Sequence, residues 1–490
     1  MSATADPRHM PDIYARQEQD EKLNEKNGQV STRPLGGDEE AGGALRPVVA
    51  DAFALQEGDE EHLNYKTMGW AKAGMIITCE AIALGTLSFP STFHRLGMAG
   101  GIICNTVFVA VAYLTAWLYV DFKLKYPYVM NAADAGEVMF GKWGARIVGV
   151  GIVAKSIGLA SSHILAGKIA ISTFDSGAHC SIGWAVLIAG VSCLLSYQRQ
   201  WSGLTYMSIA SITCIIVACI ITMVGAATQD PARLIKNGVP ISWRAFNSDL
   251  TLTDCIGAIT NTIFAYGQNM ACLSFMPEMK RPEDFKKSIF MMQTFQLVIY
   301  TIVGAVVYSY TGQYVTSPAL TVTAPTLRIT AYGFALVTII VSGIVAVNVG
   351  AKYFYVSLFR NTPILTSKSW KAQSYWLAIL AAIWVFAFVI AELIPFFNQL
   401  LTIVSCLTST WFVCGFAAMC GLHNRNPRLP ENANNGGWFA SPGRILMVVI
   451  CVLLICFSAA ITPLGLYSAI TGIIDGYSKG SFHHPFACST

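Results

Sequence analysis

Charged residues are scarce in this chain and unevenly placed. Only 12% of the 490 residues are Asp, Glu, Lys or Arg, whereas soluble domains average about 25%. Fourteen of the 28 acidic residues precede Tyr65, and the other fourteen are spread over everything after it. Because 54% of the residues are hydrophobic, one water-soluble core cannot bury all of that apolar surface. The composition excludes an ordinary soluble protein and indicates an integral membrane protein.

The sequence also lacks the motifs of enzymes and metal sites. Most of the 14 Cys stand inside apolar runs, with no Cys-x-x-Cys pair or Cys/His cluster, so they are expected to act as small hydrophobic residues. The P-loop-like spacing that begins at Gly136 ends in Trp143 instead of Ser or Thr, and no strand precedes it. His-Glu-x-x-His does not occur, and Gly-x-Ser-x-Gly occurs only as GYSKG (476–480), which follows the last apolar segment instead of the strand that a nucleophile elbow needs. We therefore expect no enzymatic activity, no cofactor and no metal, and the net charge of +4 does not indicate a nucleic-acid partner.

Three regions are predicted. Residues 1–66 are acidic, poor in aromatic residues and without helical periodicity, which predicts a disordered cytosolic tail. That stretch has no apolar core of the kind a signal peptide needs. Residues 67–475 are predicted to form a transmembrane transporter domain, and residues 476–490 a short tail on the outer side.

About eleven apolar segments have the length of roughly 20 residues that a membrane-spanning helix needs. The segments are 71–94, 98–120, 146–174, 182–198, 204–226, 254–277, 287–309, 329–357, 375–394, 396–420 and 444–473. Only the Ile394–Pro395 corner separates the ninth from the tenth, so a count of ten stays open.

The distribution of Lys and Arg predicts the orientation. With the N-terminus in the cytoplasm, the inner connections carry fifteen of these residues and the outer ones six, which agrees with the positive-inside rule. Eleven spans then place Thr490 outside. Cys180 and Cys255 both fall in outer connections, and a disulfide between them stays open.

Two of these segments share a pattern that breaks helices. The first contains CEAIALGTLSFP from Cys79 to Pro90, and the sixth contains FAYGQNMACLSFMP from Phe264 to Pro277. Each has Gly, then Leu-Ser-Phe, then Pro, and backbone groups freed by a break need a partner in lipid. Freed donors attract a carboxylate and freed carbonyls attract an ammonium, so an α-amino acid is the expected ligand. Simple kinks without a ligand are the alternative.

Four stretches resemble the amino acid/auxin permease (AAAP) family, and most closely its fungal neutral amino acid permeases. They are GTLSFP (85–90), YPYVMNAADAGEVMFGKWG (126–144), LLSYQRQWSGLTYMS (194–208) and MPEMKRPEDF (276–285). The resemblance covers roughly residues 66–475. It implies an all-α integral membrane fold of the LeuT type, with an inverted repeat of five plus five helices and one further helix. It also implies alternating access and amino acid uptake driven by protons.

The resemblance places the substrate against unwound parts of the first and sixth helices. On this chain those parts are Ala83, Leu84, Gly85, Thr86 and Leu87, and Phe264, Ala265, Tyr266, Gly267 and Gln268. Ser161, Ser162 and Asn348, on the third and eighth helices, are expected to flank the site. The family usually has Gly-Ser-Gly at the first break, where this chain has Ala83, Leu84 and Gly85.

Glu80 is the predicted proton-coupling residue. It lies about one turn before the first predicted break, and a carboxyl group at membrane depth is costly and tends to be functional. The alternative is permanent pairing with Lys155 or Lys168 of the third helix. A further acid, Glu392, is expected at a helix end that faces water.

Sodium coupling is the rival to proton coupling. Sodium-coupled relatives carry Asn where Cys79 stands here, and sulfur is a poor ligand for sodium. The apolar surroundings of the breaks predict neutral substrates, aliphatic or aromatic. A plasma-membrane importer is therefore predicted, with an amino acid sensor and a vacuolar exporter as alternatives. The oligomeric state and the preferred amino acid stay open.

Overall fold

The computed structural model describes residues 63, 65–175, 178–235, 238–360, 362–394, 396–429, 432, 437–478, 486 and 488. Over these ranges the chain is nearly all helical and crosses the bundle eleven times. The crossing elements are α1 (Trp70–Leu96), α2 (Met98–Lys125), α3 (Ala132–Asp175, kinked at Gly141), α4 (Ser181–Leu195), α5 (Trp201–Thr228), the broken α6, α7 (Phe285–Thr311), α8 (Pro325–Phe359), α9 (Trp370–Leu393), α10 (Phe397–Asn424) and α11 (Pro442–Ser478). Nine of the described helices are long and apolar enough to span a membrane, and α4 is a shorter apolar helix. The eleven helical elements stand where the eleven segments were predicted, with α9 and α10 as separate helices.

The ends of the helices follow local chemistry. The Asn131 side-chain oxygen accepts hydrogen bonds from the amides of Ala133 (2.9 Å) and Asp134 (3.1 Å), which caps the start of α3. At the end of α1, the amide of Gly97 (φ 84°) donates to the carbonyl of Phe93. His94 and Arg95 occupy the last turn of α1, where positive charge suits the negative end of the helix dipole.

Helix α1 forms the centre of the bundle. Of its most apolar stretch, 94% is buried, against 22% for α11. It packs against α5, α7, α8 and the first part of α6. The five helices α1–α5 and the five elements α6–α10 are the two halves of the expected repeat, and α11 packs outside them, against α6 and α10.

The sixth element is broken, as predicted. An α-helix, which we name α6a, runs over Leu252–Ala265, and a 3-10 turn follows over Gly267–Ala271. A four-residue helix, α6b, covers Cys272–Phe275, and a second 3-10 turn covers Met276–Glu278. The chain therefore changes its hydrogen-bonding pattern three times in the middle of the bundle.

The predicted break in the first helix is wrong. Helix α1 is continuous through Gly85 and Pro90. Proline removes only one backbone donor, the one that would otherwise bind the carbonyl four residues earlier, and α1 continues past Pro90 to Leu96. The Ser88 hydroxyl donates to the carbonyl of Gly85 (3.0 Å), and the Asn261 amide donates to that of Ser88 (3.2 Å).

The end of the bundle at which α1 begins is closed by the chain that precedes this helix. The amide of Met68 donates to the carbonyl of Glu278 (3.1 Å), and the amide of Lys280 donates to that of Met68 (2.9 Å). The buried carboxylate of Glu278 forms an ion pair with Lys352, whose ammonium lies 4.0 Å from the centre of the Trp201 ring. The predicted tail of residues 1–66 lies outside the described residues except for 63, 65 and 66.

Candidate functional site

The break in α6 is where three helices meet. The Lys155 ammonium on α3 donates a hydrogen bond to the carbonyl of Gly267. The same ammonium lies 5.8 Å from the centre of the Phe412 ring on α10. A Cβ atom at position 267 would lie 3.1 Å from Ser409 Oγ, also on α10, and 3.9 Å from Lys155 Nζ. Lys155 is thus a buried cation held against a carbonyl that the break exposes.

Glu80 faces the same region from α1. Its side chain is buried, with 5% exposure, and Lys155 is the cation whose charge acts on it. Among the described residues, Glu80 has no ion-pair contact and its Oε2 atom accepts no hydrogen bond. Glu80 and Lys155 therefore interact electrostatically without a close ion pair.

The ion pair between Lys168 and Glu392 shows that two predictions are wrong. The Lys168 ammonium donates to both carboxylate oxygens of Glu392 at 2.9 Å, so Lys168 is not the partner of Glu80. Glu392 is 1% exposed and does not face water. The ion pair explains the burial of both residues, because each charge compensates the other.

Side chains of α7 and of the break itself bind backbone carbonyls of the neighbouring helices. The Gln296 amide donates to the carbonyl of Ala265 (2.9 Å), and the Tyr300 hydroxyl donates to that of Ala81 on α1 (2.8 Å). The Asn269 amide donates to the carbonyl of Ala112 on α2 (2.8 Å). Sequence reasoning missed Asn269, Gln296 and Tyr300, although the amides at 269 and 296 are polar groups inside apolar segments, which is a usable signal.

The structure brings part of the predicted substrate-binding set together. A Cβ atom at Gly85 would lie 3.0 Å from the Cβ of Ala265, so the two segments touch at this point. All ten of the residues on these segments are buried; they are Ala83, Leu84, Gly85, Thr86, Leu87, Phe264, Ala265, Tyr266, Gly267 and Gln268. The Tyr266 hydroxyl donates to Asn105 Oδ1 (2.6 Å), whereas Gln268 Oε1 accepts no hydrogen bond from the described residues.

The flanking residues make other contacts. Ser161 and Ser162 donate to carbonyls of their own helix, at 2.7 and 2.9 Å. The Asn348 amide donates to the carbonyl of Gln198 (3.4 Å), between α4 and α5, so no described contact places it at the break. On α8 it is Ser342 that reaches α1, where its hydroxyl donates to the carbonyl of Cys79 (2.6 Å).

The cysteines pair differently from the open prediction. Cys180 forms a disulfide with Cys488, with a Cα–Cα distance of 4.9 Å, and Cys255 is a free thiol. A disulfide needs Cα atoms about 4.4–6.8 Å apart, and the Cα atoms of Cys180 and Cys488 meet this requirement. Cys255 lies in the first turn of α6a. Within the described ranges, no group of three or more His, Cys, Asp or Glu side chains could hold a metal ion.

Comparison with known proteins agrees with this architecture. Residues 66–464 match the family model of the transmembrane amino acid transporter protein. An N amino acid transport system protein of Neurospora crassa is 32% identical over 437 residues, which cover 88% of this chain and 91% of that protein. A transmembrane transporter of Gibberella moniliformis is 23% identical and covers 87% of this chain and 88% of that protein.

Two solved structures share the fold at low sequence identity. MhsT in complex with L-phenylalanine has a TM-score of 0.53 at 13% identity, and the match covers 81% of this chain and 98% of that one. A Na⁺-coupled sialic acid symporter in a substrate-bound outward-open state has a TM-score of 0.50 at 13% identity, with 86% and 94% covered. Both are transporters of the LeuT type, and the fold predicted from the sequence is confirmed. The chain belongs to the transmembrane amino acid transporter family.

Proposed function

We propose that this protein imports neutral amino acids together with protons, and that Glu80 carries the coupled proton. The observation that carries the proposal is that Lys155, whose charge acts on the buried carboxyl group of Glu80, also donates a hydrogen bond to the carbonyl of Gly267. An ionised Glu80 attracts the ammonium, and a protonated Glu80 does not. Protonation therefore changes how firmly Lys155 holds the α6 break, which is the segment proposed to bind substrate.

The charges at the site support a neutral substrate. Glu80 and Lys155 have opposite charges, so their sum is zero when both are ionised. An amino acid with a neutral side chain carries an equal ammonium and carboxylate and adds no net charge to a buried site, where an uncompensated charge is costly. The Neurospora relative is named as an amino acid transport protein, which supports an amino acid as the substrate.

Lys155 also supports protons over sodium. Its ammonium already binds a carbonyl freed by the α6 break, and such carbonyls are the groups that coordinate a sodium ion in transporters with broken helices. The sialic acid symporter is described as Na⁺-coupled, but at 13% identity it shares only the fold. Sodium coupling stays the rival, and the experiment below separates the two.

We place the protein in the plasma membrane, with the N-terminus in the cytoplasm. The excess of Lys and Arg in the connections on that side supports this orientation. The disulfide between Cys180 and Cys488 supports it too, because disulfides persist in oxidising surroundings and both cysteines then face outward. Residues 1–66 are proposed as the cytosolic tail and residues 476–490 as the outer tail.

Uptake tests the proposal directly. The protein is expressed in cells that lack their own amino acid permeases, and accumulation of labelled leucine is measured at acidic and neutral pH, without sodium and with or without an uncoupler. We expect sodium-free accumulation that is faster at acidic pH, collapses with the uncoupler and is lost in Glu80→Gln. Asp121→Asn, which removes a half-exposed carboxylate paired with Lys286, is the control and retains uptake.

Other outcomes identify the rival functions. Accumulation that requires sodium would refute proton coupling and the role of Glu80. Binding of leucine without accumulation by a protein at the cell surface would indicate a sensor. A tagged protein found on vacuoles would indicate an exporter of that organelle. Preferred uptake of arginine over leucine and tryptophan would contradict the neutral substrate.

A further inference from the structure

A polar cavity lies at the end of the bundle opposite to the start of α1. It has a volume of about 360 Å³ and is lined by the end of α1, the start of α6a, the start of α10 and the last turns of α11. This size lies in the range of roughly 300–1,000 Å³ that is typical of small-molecule pockets. The cavity therefore has room for a compact ligand.

Three charged side chains line this cavity. Arg95 is at the end of α1, Asp254 is in the first turn of α6a, and Asp475 is near the end of α11. The guanidinium group of Arg95 makes no hydrogen bond or ion pair with the described residues, although the charge of Asp254 acts on it. The Asp475 carboxylate is likewise without a described partner and is exposed. The cavity therefore offers one cation and two anions that form no ion pair with one another.

Neutral polar groups surround these charges. The amides of Asn398 and Gln399, at the start of α10, line the cavity, as do the hydroxyls of Ser468 and Thr471 on α11. Amides and hydroxyls can donate to a carboxylate and accept from an ammonium. A guanidinium group binds a carboxylate through two parallel hydrogen bonds. The complete set suits a ligand that carries both charges close together, which is an α-amino acid.

The cavity is separate from the central site. It lies further along α1 and α6a, two helices that also reach the central site. Arg95 is ten residues beyond Gly85 on the continuous helix α1, which corresponds to about 15 Å at 1.5 Å per residue. Asp254 is eleven residues before Ala265 on α6a, a distance of about 16 Å. Both helices run from this cavity to the α6 break.

We propose that this cavity is an outer binding site for zwitterionic amino acids, which holds the substrate before it enters the central site. Arg95 binds the α-carboxylate, and Asp254 and Asp475 bind the α-ammonium. The assignment of the cavity to the outer face rests on the proposed function, but the chemistry of the ligand does not. Three elements that shape the central site, α1, α6a and α10, and one helix outside the repeat, α11, therefore share a recognition site.

Protection of an introduced thiol tests the proposal. Thr471→Cys is purified in lipid nanodiscs, and the rate of its reaction with a maleimide is measured against the protein without this substitution. Leucine is expected to slow the reaction. Leucinamide, which lacks the carboxylate, and N-acetyl-leucine, which lacks the ammonium, are expected to need about tenfold higher concentrations, since each loses a charge-assisted contact.

Variants of the lining residues then identify the contacts. Arg95→Gln is expected to raise about tenfold the leucine concentration that gives half of the maximal protection. Because Arg95 packs against Gly257 and its loss could disturb folding, Asp475→Asn at an exposed position is the second variant, with the same expected direction. The control is Arg244→Gln, because Arg244 lies in a connection outside the cavity. Arg244 forms an ion pair with Asp249 there (2.7 Å), and its hydrogen bond lowers the pKa of the Asp249 carboxyl.

A variant of the central site separates this proposal from the proposed function. Gly267→Val crowds Ser409 and Lys155, and protection of residue 471 is expected to survive it. Loss of protection in folded Gly267→Val, equal protection by leucinamide, or no effect of either lining variant would overturn the outer site. Protection without any uptake would refute the transport proposal alone, and uptake without protection would refute the outer site alone.

Discussion

Gly85 and Tyr300 are complementary in shape. A methyl group on Gly85 would lie 2.9 Å from the Cζ atom of Tyr300, because the tyrosine side chain crosses from α7 into the space beside α1. The tyrosine hydroxyl donates to the carbonyl of Ala81 (2.8 Å) and to that of Ala265 (3.3 Å). The glycine in the GTLSFP stretch therefore allows one side chain to join α1 and α6a.

Substitution of this glycine is expected to damage transport without unfolding the bundle. Gly85→Ala forces Tyr300 away from α1, and overpacking of this kind costs about 1–3 kcal/mol. We expect slower leucine uptake at equal surface expression and a lower unfolding temperature. Gly333→Ala on α8, where a new Cβ has nothing within 4 Å, is the control.

A second substitution checks the cause. The nearest atom to the new methyl group is the Tyr300 hydroxyl oxygen, so Tyr300→Phe in the Gly85→Ala background is expected to restore part of the unfolding temperature. If Gly85→Ala behaves like Gly333→Ala, or if Tyr300→Phe makes the double variant worse than the single one, the steric explanation fails.

Lys155 is expected to be needed for both the α6 break and the coupling. Lys155→Met removes the ammonium from the Gly267 carbonyl and leaves Glu80 without the cation whose charge acts on it. Since a hydrogen bond to a charged group contributes about 1.5–3 kcal/mol, leucine uptake is expected to fall about tenfold or more. Lys155→Arg keeps the charge and is expected to retain more uptake.

The pH profile separates coupling from folding. In Glu80→Gln/Lys155→Met no charge is left unpaired, so surface expression is expected to recover relative to Lys155→Met while the stimulation by acidic pH stays absent. Stimulation by acidic pH that persists in Glu80→Gln would contradict the role of this carboxyl group.

Much of the fold followed from patterns that the membrane imposes. Apolar runs of spanning length predict helices because lipid offers no other partner for backbone groups, and this rule found α1 to α11. The break in α6 was also predictable, since Gly267 and Pro277 both disfavour a regular helix. The same pattern of Gly, Leu-Ser-Phe and Pro in α1 does not break that helix, which is continuous through Gly85 and Pro90, because a single proline removes only one backbone donor.

The site was only partly predictable because its contacts join distant parts of the chain. Glu80 could be singled out as an acid at membrane depth. Its relation to Lys155, and that of Lys168 to Glu392 across 224 positions, depends on which faces of α1, α3 and α9 meet. Periodicity does not determine those faces in helices that are apolar on nearly every side.

The buried pair of Lys168 and Glu392 provides a prediction for stability. Glu392→Gln leaves the Lys168 charge buried without its partner, and removal of one member of a buried pair costs about 3–5 kcal/mol. We expect a clearly lower unfolding temperature of the purified protein. Glu392→Leu/Lys168→Met, which removes both charges, is expected to be closer to the unchanged protein, and a double variant less stable than Glu392→Gln would contradict this account.

The disulfide between Cys180 and Cys488 gives a direct test of the topology. Both cysteines must lie on the same side of the membrane, which requires an even number of spans between them, as the eight elements α4 to α11 would provide. Digestion without reduction is expected to yield a linked peptide that contains both residues and separates on reduction.

Cys255→Ser is the control and leaves the linked peptide unchanged, whereas Cys180→Ser abolishes it. In intact cells, a membrane-impermeant maleimide is expected to label Cys488 only after reduction. A peptide that links Cys180 to Cys255, or Cys488 that is labelled only in permeabilised cells, would contradict the pairing or the orientation respectively.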